Sequence, residues 1–238
     1  GAASTSLCTV PPGVDAEHFR PLDRAAARAE LGIEPGRPTA LFVGRIDPVK
    51  GIEVLLRAWA QVCVELAPER PLLVFLGGTF RPGPAGPQPE GPLARIVAEA
   101  AALGLEKTIR FVGSRPQEEL PLYYNAADVC LIPSLYESFG LVAVESMACG
   151  TPVVASGVGG LRFSVEHEVS GLHVPPGDAA ALATATIRLL TDHQLRSRLQ
   201  VGARQAALRY SWHRVTTIVA RVYEQVARRE TLRPCCTA

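Results

Sequence analysis

Short apolar runs alternate with longer segments of helical periodicity along most of the chain. The apolar runs predict six buried strands, at residues 39–44, 71–78, 108–113, 128–133, 151–156 and 170–175. Between them, apolar residues recur every three or four positions, as in GIEVLLRAWAQVCVEL (51–66), which predicts amphipathic helices. Uninterrupted apolar strands separated by helices are typical of a parallel sheet covered on both faces. The pattern therefore predicts an α/β fold with a doubly wound parallel sheet.

Further helices are predicted between the later strands and after the last one. They lie at 93–105, ending near Gly104, at 118–127 and 141–150, and then near 178–190, 192–209 and 212–230. The last three are extra C-terminal helices beyond the sheet. The segment 79–92 contains five prolines and three glycines, which predicts a loop without regular structure.

Composition and charge exclude several functional classes. The 238 residues carry a formal net charge of only +1, so no bulk field favours nucleic acid or an anionic membrane. No apolar run approaches the roughly 20 residues that span a bilayer, and the segment GAASTSLCTVPPGVD lacks the basic and apolar regions expected of a signal peptide. Six cysteines without metal-site spacing predict a reducing, cytoplasmic location. Met147 is the only methionine, which predicts a fragment or a processed product.

Two cations follow the first predicted strand. In a doubly wound sheet, ligands bind at the carboxyl ends of the strands. The segment GRIDPVKG (44–51) places Arg45 and Lys50 in such a turn, after Gly44. A planar guanidinium and a compact ammonium together suit a diphosphate. On these residues alone, an ordinary solvated loop is the alternative.

The segment YESFGLVAVE (136–145) follows the fourth predicted strand and holds two carboxylates. A helix beginning near Gly140 would leave the amides of Phe139, Gly140 and Leu141 as unpaired donors for an anion. Glu137 lies before this helix and Glu145 within it, so they do not converge like a glycosidase pair, about 5–5.5 Å apart. They fit two hydroxyl-bearing parts of one extended ligand. Ordinary helix acids are the alternative.

Other segments at the same edge supply further candidates. Gly113 and Ser114 follow the third strand, together with Arg115, and glycines at 157, 159 and 160 after the fifth predict a wall beside a ligand. The sequence has no Asp-x-Asp and no acid cluster spaced for a divalent metal, so no metal site is predicted. The five histidines are scattered, which leaves no evident general base.

Together these segments resemble the C-terminal donor-binding domain of GT-B glycosyltransferases, most closely glycosyltransferase family 4, from about Val10 to Val226. The motifs are VPPGVDAEHFRP, LFVGRIDPVKGIEVLLRA, IRFVGSRPQEELPLYYNAADVCLIPS, ESFGLVAVESMACGTPVVAS and GGLRFSVEHEVSGLHVPPGD. The resemblance implies catalytic roles for three residues: the nucleotide diphosphate is held by Arg45 and Lys50, and donor-sugar hydroxyls by Glu137. It also implies substrate-binding positions: Gly44, Ser138, Phe139, Gly140 and Leu141 near sugar and phosphate, Glu145 at the ribose, and Gly113 and Ser114 near the base.

The resemblance also implies an organisation and a reaction. Residues 1–20 would be an inter-domain linker, 21–210 a Rossmann-like domain that binds the nucleotide sugar, and 211–238 a crossing helix with a tail. Members retain the anomeric configuration, without a cofactor and usually without a metal. An N-terminal acceptor-binding half would be missing, and any peripheral membrane contact would be made by that half.

Phe163 departs from the family, which often has glutamate three residues after the Gly-Gly pair, and this leaves sugar and acceptor more open. A non-catalytic module that binds nucleotide sugars is the alternative from another class. An exposed apolar strip at the carboxyl edge and a last helix without a partner would favour a detached half of an enzyme. A GT-B-like epimerase would need catalytic acids and a histidine that the sequence does not show.

Overall fold

The computed structural model describes residues 9–83 and 86–228. Its strands are β1 (Thr39–Val43), β2 (Leu72–Leu76), β3 (Thr79–Arg81), β4 (Gln88–Glu90), β5 (Ile109–Phe111), β6 (Val129–Ile132), β7 (Val153–Ser156) and β8 (Gly171–Val174). Its helices are α1 (Arg24–Glu30), α2 (Ile52–Glu65), α3 (Pro92–Ala102), α4 (Leu120–Ala126), α5 (Leu141–Ala148), α6 (Leu161–Ser164), α7 (Ala179–Thr191), α8 (His193–Leu208) and α9 (Trp212–Ala227). The α/β fold with a doubly wound sheet is confirmed.

The six predicted strands form one parallel sheet in the order β5-β2-β1-β6-β7-β8. From β1 the chain moves outward through β2 to β5, then returns to β6 and moves outward the other way. The direction of winding therefore reverses between the neighbouring strands β1 and β6, where Ala40 pairs with Val129. Such a reversal opens a crevice at the carboxyl ends of the two strands.

Two hydrophobic cores lie on opposite faces of the sheet. One is formed by α2, α3 and α7 around the fully buried Trp59, and the other by α4, α5 and α8 around Tyr124 and Met147. Phe42 and Phe75 stack in the first core with ring centroids 4.6 Å apart. Because helices cover both faces, every residue of β2, β6 and β7 is buried, which explains their uninterrupted apolar runs.

The prediction for residues 79–92 was wrong in part, since β3 and β4 form an antiparallel hairpin there. Phe80 packs against the first core and gives the ribbon an anchor. Pro89 pairs with Phe80 across the hairpin. Proline is tolerated at this position because both strands of a two-stranded sheet are edge strands. Helices α1 and α6 were not predicted from the sequence. Helix α1 begins after Asp23, whose carboxylate accepts from the amide of Ala26 at 2.8 Å.

The N-terminal segment, residues 14–19, is hydrogen-bonded to α8 and to the turn that follows it. The guanidinium of Arg204 in α8 donates to the carbonyls of Ala16, Phe19 and Ala148. Val14 exchanges backbone hydrogen bonds with the α8–α9 turn. Within α9 only Val215 is buried, so this helix is the least covered of the long helices in residues 9–83 and 86–228.

A buried carboxylate binds three arginines at the amino edge of the sheet. Asp128, just before β6, is paired with Arg24, with Arg28 at 2.8 Å and with Arg196 at 3.5 Å. It also accepts from the amide of Thr39 at 2.8 Å. Burial lowers the pKa of Arg28 and Arg196, and the Asp128 carboxylate opposes that shift. This cluster joins β1, β6, α1 and α8 on the edge opposite the crevice.

Within the described ranges, no helix combines the length and apolar composition needed to cross a bilayer.

Cys63, Cys130 and Cys149 are free thiols, and burial raises the pKa of the latter two to about 12. The remaining cysteines, Cys8, Cys235 and Cys236, lie outside the residues that the structure describes.

Candidate functional site

The loops after β1 and β6 are in direct backbone contact. The β1 loop ends in a short 3-10 turn, Pro48–Lys50, followed by Gly51 with φ of +66°. A Cβ on Gly51 would lie 2.0 Å from the carbonyl oxygen of Pro133, so only glycine fits. The amide of Leu135 donates to the carbonyl of Val49 at 2.7 Å. These contacts hold the two loops side by side over the crevice.

Lys50 and Glu137 meet across this crevice. The Nζ of Lys50 lies 2.6 Å from the Oε2 of Glu137, and the two side chains are only 20% and 16% exposed. The structure thus brings together two of the three predicted catalytic residues. Arg45 lies on the same β1 loop but is exposed, and it makes no hydrogen bond or ion pair within residues 9–83 and 86–228.

Helix α5 begins beside this pair. Gly140 has φ of +91°, and its carbonyl accepts from the amides of Ala143 and Val144. The amides of Phe139, Gly140 and Leu141 donate to no other group in the described part of the chain. Three donors at a helix N-terminus attract an anion through their partial positive charge. The structure therefore places a cation, a carboxylate and these amides around one crevice.

The glycine turn after β7 packs against the Glu137 loop. The amide of Gly160 donates to the carbonyl of Glu137 at 3.0 Å. A Cβ on Gly159 would lie 2.0 Å from that carbonyl, and a Cβ on Gly160 would lie 2.3 Å from the carbonyl of Ser138. At Gly159 and Gly160 the glycine turn makes a close contact between two loops, and the prediction that it lies beside a ligand stays a prediction. These glycines fix the backbone that carries Glu137 and Ser138.

We expect Gly160→Ala to distort the Glu137 loop, whereas Gly157→Ala in the same turn should be tolerated. A Cβ at Gly157 would meet nothing closer than 3.6 Å. The clash at Gly160 is with backbone atoms, so the loop must move, at a cost of about 1–3 kcal/mol by analogy with overpacking. Thermal denaturation of both variants checks this; equal midpoints would contradict it.

The side chain of Phe139 faces away from the crevice. Its ring packs edge-on against Tyr210, with centroids 5.2 Å apart, and its carbonyl accepts from the hydroxyl of Ser164 at 3.1 Å. Ser138 and Leu141 are exposed on either side of it. The backbone amide of Phe139 is therefore its only group that can contact a ligand in the crevice.

Glu145 lies in the second turn of α5 and is only partly exposed. Its Oε2 accepts a hydrogen bond from the hydroxyl of Tyr124 at 2.9 Å. Burial raises the pKa of Glu145, although the Tyr124 hydrogen bond opposes that shift. Burial also raises the pKa of Tyr124 well above its usual value, so its hydroxyl stays protonated as a donor. Tyr124 was not predicted as a site residue, because it lies in the mostly apolar helix α4 and no sequence motif distinguishes it.

Gly113 and Ser114 lie at the carboxyl end of β5, which is two strands from β1 at the same edge of the sheet. Both the amide and the hydroxyl of Ser114 donate to the carbonyl of Gly78, at 2.8 Å and 3.0 Å. Gly113 is buried, has φ of +80° and accepts from the amide of Gly77. Gly44 lies close by, since a Cβ on Gly77 would be 2.0 Å from its carbonyl. These residues bring the ends of β1, β2 and β5 together.

Residues 23–206 match the family model of the glycosyl transferases group 1. The chain belongs to this family. A D-inositol 3-phosphate glycosyltransferase of Saccharomonospora viridis is 44% identical over 226 residues, which are 94% of this chain and 51% of that protein. The chain spans about half the length of the curated group 1 relatives that it matches.

Two solved structures show the same fold. Sucrose-phosphate synthase from Thermosynechococcus elongatus superposes with a TM-score of 0.80 at 39% identity, over 93% of this chain and 53% of that one. Anabaena HepE in complex with UDP-glucose superposes with a TM-score of 0.74 at 27% identity, over 92% and 57%. This group 1 chain therefore has the Rossmann-like fold of a C-terminal GT-B domain.

Proposed function

We propose that the chain is the donor-binding half of a retaining, metal-independent glycosyltransferase of family 4, which takes a hexose from a nucleoside-diphosphate sugar. The observation that carries this proposal is the meeting of the β1 and β6 loops at the reversal of the sheet. There, Lys50, Glu137 and the N-terminus of α5 surround one crevice, with Arg45 exposed beside it. HepE, solved with UDP-glucose, supports uridine as the first base to test.

The charges suit a diphosphate leaving group. When the anomeric bond breaks, the nucleoside diphosphate gains negative charge and the sugar becomes cationic in character. Arg45, Lys50 and the amides of Phe139–Leu141 would stabilise the leaving group, as preorganised donors do in other transferases. Among the described residues, no three His, Cys, Asp or Glu side chains come together as metal ligands. We assign the stabilisation of the leaving group to Arg45, Lys50 and these amides.

The surface around the crevice favours half of an enzyme over an isolated binding module. Five large apolar side chains are exposed there or close by: Val49, Leu135, Tyr136, Leu141 and Phe163. Tyr136 is 67% exposed and Phe163 80%. Several large apolar side chains exposed in one region of the surface are typical of an interaction site. Helix α9 also exposes Trp212, Tyr223 and Val226. An acceptor-binding half is the partner that we propose for this surface.

Thermal-shift screening of the 238-residue chain tests the donor. Uridine, guanosine and adenosine diphosphates and their sugar conjugates would be compared. A ligand at ~100 times its Kd adds about 2.7 kcal/mol of stability, which is readily detected. Failure of all of them to shift the midpoint would contradict the proposed function. For the complete enzyme, the name of the S. viridis relative makes D-inositol 3-phosphate the first acceptor to test.

Glu145→Gln is expected to weaken nucleotide binding by about 1.5–3 kcal/mol, because a charge-assisted hydrogen bond to the ribose would be lost. Glu106→Gln, at an exposed site before β5, is the matched control. Calorimetry with the nucleotide selected by the screen measures both. Equal affinities for Glu145→Gln and the wild-type chain would make Glu145 merely a helix acid.

The pH dependence of binding gives a second readout for Glu145. Because burial raises its pKa, Glu145 takes up a proton at a higher pH than an exposed glutamate. Nucleotide binding that needs the carboxylate should therefore weaken as the pH falls through that raised pKa. The Glu145→Gln variant should lose this part of the pH profile.

A further inference from the structure

We infer that Glu137 acts as a built-in competitor for Lys50, so that the site discriminates against a bare nucleoside diphosphate in favour of one that carries a sugar. The inference rests on the proposed function and adds a second role for Glu137. With no ligand present, Lys50 and Glu137 satisfy each other at 2.6 Å. A diphosphate must therefore take Lys50 from a carboxylate that already holds it.

Lys50 and Glu137 form an isolated ion pair within the described part of the chain. Each residue is the other's only ion-pair partner among residues 9–83 and 86–228. Both side chains are more than three-quarters buried, so solvent screens their attraction less than that of an exposed pair. The Glu137 carboxylate therefore already occupies the position next to Lys50 where a diphosphate would bind. A bound diphosphate would be repelled by this negatively charged carboxylate.

The exchange must take place by side-chain rotation, because both backbones are fixed. Gly51 rests against Pro133, and Gly160 donates to the carbonyl of Glu137. Moving either loop would break those contacts. The carboxylate of Glu137, by contrast, is held by Lys50 alone among the described groups. Ligand binding therefore turns the two side chains apart and leaves the loops in place.

A sugar changes the balance of this exchange. When Glu137 releases Lys50 to a bare diphosphate, its carboxylate is left partly buried without a donor, which carries a desolvation cost. A hexose offers hydroxyl donors that can replace the ammonium. The same side chain therefore opposes the bare nucleotide and accepts the nucleotide sugar. After transfer, the nucleotide product lacks those hydroxyls, so the pair re-forms and favours release of the product.

Arg45 serves as the internal control for this inference. It lies on the same loop and carries the same charge, but it is exposed and has no partner within the described ranges. A diphosphate can bind Arg45 without displacing anything. The effect of Glu137 on diphosphate binding should therefore depend on Lys50 and be independent of Arg45.

A double-mutant cycle measured by calorimetry tests the inference on the 238-residue chain. The probe is whichever of UDP, GDP or ADP gives the largest thermal shift. Glu137→Gln should tighten binding of that diphosphate by about threefold to tenfold, as expected when a partly buried competing charge is removed. This gain should disappear when Lys50→Met is also present, and it should persist with Arg45→Gln.

The corresponding nucleotide sugar provides the opposite signature. In Glu137→Gln, the preference for the nucleotide sugar over the bare diphosphate should fall by about tenfold or more, since a charge-assisted hydrogen bond is lost. The unliganded midpoint of each variant checks its fold. Wild-type binding with no tightening in Glu137→Gln would overturn this inference alone. No binding by any of the three diphosphates or of their sugar conjugates would overturn the proposed function and this inference with it.

Discussion

In the complete enzyme, replacing Lys50 with alanine is expected to lower kcat by about 10²–10³-fold, equivalent to roughly 2.7–4 kcal/mol of transition-state stabilisation. Lys50 stands 2.6 Å from Glu137 at the N-terminus of α5, where the leaving diphosphate would gain charge. The variant removes a preorganised cation from the point where that charge develops, so this is among the largest changes we expect.

The fold should survive this substitution. The loops are joined through Gly51 and the Val49–Leu135 backbone hydrogen bond, neither of which involves the Lys50 side chain. Lys107→Ala is the matched control, because Lys107 is exposed and precedes β5, at the opposite edge of the sheet. Steady-state kinetics with saturating donor would measure both variants. Turnover by Lys50→Ala that equals the Lys107→Ala rate would refute the assignment of Lys50.

The largest loss of stability is expected from Asp128→Asn. Its carboxylate pairs with Arg24, Arg28 and Arg196, and only 6% of its side chain is exposed. Removing one member of a buried ion cluster leaves uncompensated charge, which typically costs about 3–5 kcal/mol. Domains of this kind are stable by only about 5–15 kcal/mol. The variant should therefore unfold at a much lower urea concentration than the wild-type chain.

Glu168→Gln is the control for Asp128→Asn. Glu168 also contacts two arginines, Arg188 at 2.6 Å and Arg198 at 3.8 Å, but all three side chains are well exposed. Exposed pairs contribute little to stability because solvent screens them. The urea midpoint of Glu168→Gln should stay near that of the wild-type chain. Similar losses in both variants would show that burial of the Asp128 cluster is not what makes it stabilising.

The sheet and most helices could be predicted from the sequence, because strands that are buried on both faces appear as continuous apolar runs. Each strand of the main sheet lies in a mostly apolar run, and the C-terminal helices α7 and α8 begin directly after Asp178 and Asp192, whose carboxylates cap them. The β3–β4 hairpin escaped prediction because one anchored side chain, Phe80, outweighs a segment rich in proline.

The residues of the candidate site could be predicted from the sequence, but the contacts between their side chains could not. The carboxyl-end rule correctly gathered the loops of Lys50 and Glu137, because parallel strands end at one edge. Their ion pair joins positions 87 residues apart, and the Tyr124–Glu145 hydrogen bond joins positions 21 apart. Local periodicity carries no information about such partners. The Asp128 cluster was missed for the same reason, since its arginines lie at the two ends of the chain.

The contacts that hold the crevice together are made by main-chain atoms and glycines, at Gly51, Gly159 and Gly160. Side chains such as those of Leu135, Ser138 and Phe163 take no part in those contacts. We therefore expect a library of variants at these three positions to keep the contacts between the loops and, under the proposed function, to differ in the substrates that they accept.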